Sequence, residues 1–438
     1  MMIDDGHMVS VDCHHNIPEV LTSEQERTKR ILGNFFLMVV WRNVRIFLVF
    51  ISLLKKRIRT IFTSRLFFSA KGTEYPEITI MANASEPVVA RLMLPDDANL
   101  AGNVHGGTIL QLMEQAGMIA ATRYFNKPNT SNDGSKDEYQ GKHYAGLARI
   151  ETMSFHQPMF IGEIASLSAH LVFTSERSAL VKVVVTAENA MKSSKRITNT
   201  GSLWYLSFVA QDNEEPLVVP VPQIPPPPEV DSKAVAEYNK AKKMYETRKN
   251  ETMTNGTCLT IEGCLCPTCR LNYKPPTGEK VKSPAESQQM LSQMVLPGDC
   301  GTSHYAFGGF VMKLMDTAAG CCAYKHTRTN VVTVSISSMD FVSMVRLGDI
   351  VTIRAEMTFC SAKSMEILVS AYVTSMTRED HLVARGVFSF VSLDENNKVM
   401  LVPELKYETE DEFSKAFESC NYNLDKCTSF RRKDQMCT

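Results

Sequence analysis

The stretch AGNVHGG, from Ala101 to Gly107, stands just before a run in which Ile109, Leu112, Met113, Ala116, Ile119 and Ala120 recur at spacings of three and four. That period marks a helix over residues 108–124 with one apolar face. A glycine pair at a helix start lets a ligand approach the backbone, and the unpaired amides of the first turn point at it with the positive end of the helix dipole. Such geometry suits a carbonyl oxygen that is gaining negative charge. Tight packing of helix on sheet would ask for the same glycines, so the pair alone leaves both readings open. Two turns later Glu114 sits beside a Leu-Met face, and a second helix-like run carries Asp316 in the same setting. A carboxylate there needs a group nearby that solvates it, unless it lies at the edge of a wet stripe.

The two carboxylates belong to an internal repeat. HGGTILQLMEQA from His105 lies over FGGFVMKLMDTA from Phe307, so that Gly106 meets Gly308, Gly107 meets Gly309 and Glu114 meets Asp316. A second block from Met153 lies over one from Met339, with Phe155 on Phe341, Gly162 on Gly348 and Ser178 on Ser364. The second block is more closely spaced from the first in the C-terminal copy. The extra residues of the N-terminal copy, NKPNTSNDGSKDEYQGKH, have the polar, glycine-containing character of a loop. Each copy therefore needs one helix to position its carboxylate, over 108–124 and 310–324. Strand-like runs rich in β-branched residues follow, such as ALVKVVVTAEN and SMEILVSAYVTS. One long helix against an antiparallel sheet, twice, is an α+β architecture.

At 438 residues the chain exceeds one ordinary core, and 44% apolar with 22% charged residues is the composition of a globular protein. The 47 basic and 48 acidic residues nearly cancel, which gives no electrostatic reason to propose a nucleic-acid partner. Twelve cysteines, including the adjacent Cys321 and Cys322 inside a helix, do not form a secreted disulfide pattern and point to a reducing compartment. The proline-rich PLVVPVPQIPPPP from Pro216 cannot be interior helix or strand and marks the boundary between the copies. A polar helix over 229–253 and a short charged helix after Tyr407 are expected to follow each copy. Cys258, Cys264, Cys266 and Cys269 could close a zinc site, but their spacing is not that of paired knuckles, and a loop without metal is the expectation.

Residues 30–72 are rich in Phe, Ile, Leu and Arg and hold no acid. Arg42, Asn43 and Arg45 interrupt the apolar stretch, and each charge at a bilayer centre costs about 2.5–3.5 kcal/mol, which disfavours a spanning helix. A membrane-surface segment or an organelle-targeting segment fits better. The polar first 29 residues do not form a secretory signal. Cytoplasm is the expected location, with mitochondrion as the alternative.

GNVHGGTILQLMEQAG, LARIETMSF, IGEIASLSAHLVFTS, GGFVMKLMDTAAG and TFCSAKSMEI, with the linker helix between the copies, resemble the cytosolic long-chain acyl-CoA thioesterases with two fused hotdog domains. The resemblance covers roughly residues 88–420. It implies a first hotdog domain at 73–228 after an extension at 1–72, a linker helix and Cys-rich loop at 229–285, a second hotdog domain at 286–405, and a C-terminal helix and tail at 406–438. It further implies hydrolysis of fatty acyl-CoA without a cofactor or metal, a homo-oligomer built as a trimer of two-domain chains, and one composite site per chain with Asn103 and Asp316 as its catalytic pair. Asp316 could then serve as general base on a water or as nucleophile, while Asn103 with the amides of Gly106 and Gly107 polarises the thioester carbonyl. The paired helices are expected to run antiparallel. The pseudo-equivalent site, Tyr305 with Glu114, is expected to be weak or dead. Its motif HYAFGG departs from the family's VHGG, with Phe307 where the first copy has His105. Arg149, Arg177 and Lys363 are candidates for holding CoA phosphates. A noncatalytic acyl-CoA binding protein is the alternative from another class. A hotdog hydratase or dehydratase is a weaker one, since His105, His143, His156 and His304 do not form that family's histidine motif.

Overall fold

A computed structural model describes residues 89–127, 139, 141–211, 215–255 and 281–421, all within one compact unit, Ile80–Thr438. The extension at 1–72 and the cluster of Cys258, Cys264, Cys266 and Cys269 lie outside the described residues.

The first copy is built from β1 (Val89–Leu92), α1 (Gly106–Phe125), β2 (Tyr144–Phe155), β3 (Ile164–Thr174), β4 (Ser178–Asn189), β5 (Ser194–Val209) and the two-residue β6 (Leu217–Val218). The linker helix α2 (Ser232–Asn255) comes next, then β7 (Val281–Lys282) and the single turn α3 (Pro284–Ser287). The second copy is β8 (Gln289–Met294), α4 (Gly308–Thr327), β9 (Asn330–Phe341), β10 (Ile350–Cys360), β11 (Ser364–Thr374) and β12 (His381–Leu393), followed by β13 (Glu404–Leu405) and α5 (Glu410–Asn421). The eighteen-letter insertion of the first copy spans the connection from α1 to β2, where the second copy has only Arg328 and Thr329. Among the described residues no helix is long and apolar enough to cross a membrane.

All the long strands share one antiparallel sheet in the order β1-β3-β4-β5-β2-β9-β12-β11-β10-β8, so the copies are related by a pseudo-twofold between β2 and β9. At that seam Ile150 pairs with Met339 and Met153 with Ile336. The repeat alignment equates Ile150 with Ile336 and Met153 with Met339, so the two rungs exchange under the pseudo-symmetry. Alternate residues of the strands are buried, as the pleat dictates for a sheet with one face on a core. A single apolar core takes residues from both copies, with Met113 and Met315 fully enclosed at its centre. In both copies a left-handed turn glycine, Gly162 and Gly348 (φ 86° at each), precedes the third strand, a conformation in which a Cβ would be strained.

The long helices cross where glycine allows it. A Cβ on Gly107 would lie 3.0 Å from Lys313 Cα, and one on Gly309 would lie 2.9 Å from Gln111 Cα. The start of each helix thus touches the second turn of the other, which makes them antiparallel. On the far side of the first copy's sheet, α2 lays Tyr238, Ala241 and Tyr245, spaced by three and four, over Phe173, Leu180 and Trp204. Ion pairs from Lys182 to Glu237 and from Arg248 to Glu151 flank that stripe.

Candidate active site

The antiparallel crossing carries Asp316, in the third turn of α4, to the N-terminus of α1. Its side chain is 2% exposed. Thr333 Oγ1 donates to Asp316 Oδ1 at 2.7 Å, and a Cβ on Gly106 would come within 2.9 Å of Asp316 Oδ2 and 3.0 Å of Thr333 Oγ1. The glycine is therefore what admits a carboxylate from the other copy against the helix start. Burial pushes the Asp316 carboxyl above its ordinary range, while the neighbouring His105 ring, the Thr333 hydroxyl and the Gly107 amide each pull it back.

His105 is the N-cap of α1. Its Nδ1 accepts the Gly107 amide at 3.0 Å, while the same nitrogen lies 3.5 Å from Asp316 Oδ2. The two contacts compete, because a nitrogen that accepts from Gly107 carries no proton to give to Asp316. The Gly107 bond has the better geometry, so Thr333 rather than His105 is the direct donor to Asp316. The Gly107 amide, one of the two expected to hold a carbonyl, is thus engaged within the cap. The Gly106 amide has no hydrogen-bond partner among the described residues. Asn103, two residues before His105, is fixed through its backbone by Asn99 Oδ1 at 3.1 Å and by a bridge to Phe160. Its half-buried side-chain amide makes no hydrogen bond to a described residue. A carboxylate able to accept a proton, a free side-chain amide and a free first-turn amide are what attack on a carbonyl requires.

The pseudo-equivalent position keeps the first-turn amide, Gly309 for Gly107, but differs at the other polar points. Glu114 is 2% exposed, and burial raises its carboxyl to about 7 against the opposing Gly309 amide. Tyr305, opposite Asn103 in the alignment, has its ring edge-on to Phe208 at 5.7 Å and under Arg346. Phe307 replaces His105. Leu147 packs on Gly308 where Thr333 packs on Gly106. Around Glu114 lies a cavity of about 580 Å³, whose lining includes Met118, Phe208, Phe307, Val311 and Met344 but none of Asn103, His105, Asp316 or Thr333.

Thr333 is the site residue that sequence reasoning missed. The repeat register at the second block sets it opposite Leu147, and that polar-for-apolar exchange in a strand was the available signal. The three residues expected to meet CoA phosphates are spread out. Arg149 is paired with Asp340 and lies near Glu151 at the seam, Arg177 is 3.5 Å from Glu176, and Lys363 is exposed in the turn before β11.

Two antiparallel α+β repeats whose helix starts receive each other's carboxylates define a fused pair of hotdog thioesterase domains. A thioesterase superfamily model matches residues 101–194 and 304–379, one segment in each copy. Cytosolic acyl coenzyme A thioester hydrolase of Homo sapiens is 37% identical over 338 residues, 76% of this chain and 80% of the relative. The enzyme of the same name from Mus musculus is 38% identical over 75% of this chain and 80% of its own length. A putative cytosolic acyl coenzyme A thioester hydrolase-like protein of Homo sapiens is 33% identical over 64% of this chain and all of its own. The chain belongs to the cytosolic acyl-CoA thioester hydrolase family.

Proposed function

We propose that the protein hydrolyses long-chain fatty acyl-CoA to free fatty acid and CoA at one composite site per chain. Asn103 and the Gly106 amide hold the thioester oxygen, and the field of the α1 N-terminus stabilises the charge that develops on it. Asp316 takes a proton from water as the water attacks the carbonyl carbon. The tetrahedral intermediate then expels the CoA sulfur, which receives that proton, leaving the fatty acid. Direct attack by the Asp316 carboxylate uses the same groups: it expels the CoA thiolate and leaves an acyl anhydride, and the water that opens the anhydride releases the proton that the thiolate takes up. Thr333 is a positioning residue that fixes which Asp316 oxygen faces the substrate. The observation that carries this reading is a buried carboxylate from one repeat set against the helix start of the other, with Asn103 two residues ahead of the cap.

The same proposal places the enzyme in the cytoplasm and in a homo-oligomer, as a trimer of two-domain chains. Both sheet edges support association, since among the described residues β1 and β8 are each paired on one side only and expose Leu92, Met290 and Met294. Release of free CoA thiol from palmitoyl-CoA tests the chemistry. Asp316→Asn is expected to lower turnover about 10²–10⁴-fold with an unchanged circular dichroism spectrum, the usual worth of a general base. Wild-type-like turnover in that variant would remove Asp316 from the site.

A further inference from the structure

A cavity lies beside Glu114, at the position pseudo-equivalent to the Asp316 site. It runs along α1 from Glu114 to Asn126, a span of about 18 Å at the helical rise. The opposite wall comes from the Gly301–Gly308 loop, Val311 of α4 and the end of β9. Its volume of about 580 Å³ falls within the range of small-molecule sites. Its walls are more apolar than the Asp316 site at three matched positions: Tyr305 stands opposite Asn103, Phe307 opposite His105 and Leu147 opposite Thr333. At the inner end stands Glu114. At the outer end stands Arg123, which among the described residues is the only Lys or Arg in the lining and makes no ion pair or hydrogen bond, and it is exposed.

We propose that this cavity is a noncatalytic binding site for a long-chain fatty acid, with the hydrocarbon tail lying along α1 toward Glu114 and the carboxylate at Arg123. One cation at the mouth matches one carboxylate, whereas the phosphates of CoA call for several. An apolar tail at the inner end is compatible with Glu114 in its neutral form, the form that burial favours there. A carboxylate placed at that end would face a second carboxyl group and no cation. The lining, not the hydrolytic reaction, defines this ligand, so the site is independent of which thioester is cleaved at Asp316.

Titration of the full-length chain with palmitate and, separately, with the uncharged hexadecanol tests the assignment, with CoA release from palmitoyl-CoA followed in parallel. Thr122→Trp fills the chamber and is expected to abolish binding of both ligands while CoA release is kept. Arg123→Glu alters only the mouth and is expected to weaken palmitate about tenfold while leaving hexadecanol unchanged. If Thr122→Trp also loses CoA release, its fold is disturbed and Arg123→Glu decides alone. The proposal is overturned if the wild-type chain does not bind palmitate, if Arg123→Glu binds it as tightly as wild type, or if a fully active Thr122→Trp still binds it.

Discussion

Asp316 and Glu114 occupy the same position in two copies of one motif, and their neighbours have drawn them apart. Asp316 has a hydroxyl donor, a histidine and a helix start around it. Glu114 has one amide and an apolar wall. Thr333 bonds the ionised form of Asp316, so its removal should raise the Asp316 pKa further. In the proposed mechanism the ionised form is the reactive one, so the acid limb of the kcat/KM profile for Thr333→Val is expected to move up by about one pH unit, with activity recovering toward wild type at higher pH. An acid limb that stays in place, with activity lowered equally at all pH values, would make Thr333 a packing residue only. For Glu114 the sign differs from that of most carboxylates. Its folded value of about 7 lies above the unfolded 4.5, so the native state holds the extra proton between these values and stability declines as pH rises through the window. Glu114→Gln removes that decline. Unfolding in urea at pH 5 and pH 8 is expected to show the variant gaining on wild type at the higher pH by up to roughly 3 kcal/mol. Parallel behaviour at the two pH values would mean that Glu114 is solvated after all.

At the scale of elements, the long helices were legible because each presents a three-four apolar period and opens at a glycine pair. Both begin at the second motif position, Gly106 and Gly308. The strands β4 and β11 follow their β-branched runs to within a residue or two. Side-chain partners across the fold were not legible. Thr333 lies in a strand that pattern recognises, yet its approach to Asp316 depends on where α4 crosses α1, a tertiary relation with no local signature. The linker helix shows the same limit. Its polar sequence announces a helix, but Tyr238, Ala241 and Tyr245 acquire meaning only from the outward Phe173, Leu180 and Trp204 of the sheet. Tyr245→Ala should therefore loosen α2 without touching the core. Amide exchange in 232–249 is expected to accelerate while α1 and α4 keep their protection and CoA release is retained. Equal acceleration in α1 and α4 would show that α2 belongs to the same cooperative unit as the core.

Among the described residues the two copies share one large sheet and one main core, so on the proposed reading neither copy holds a complete polar site. In that reading the first supplies Asn103 and the helix start, and the second supplies Asp316 and Thr333. The resemblance of the motifs named the family and implied the pair, and in the proposed site the antiparallel crossing of the helices draws its members from different copies. The direct test is a double-mutant cycle in the full-length chain, comparing kcat/KM for palmitoyl-CoA in Asn103→Ala, Asp316→Asn and the combined variant. Residues that act as a unit are strongly non-additive. The expected result is that the combined variant is hardly slower than Asp316→Asn alone, although Asn103→Ala by itself is markedly impaired. Losses that multiply in the combined variant would show the two residues acting independently, and a site shared between the copies would be contradicted.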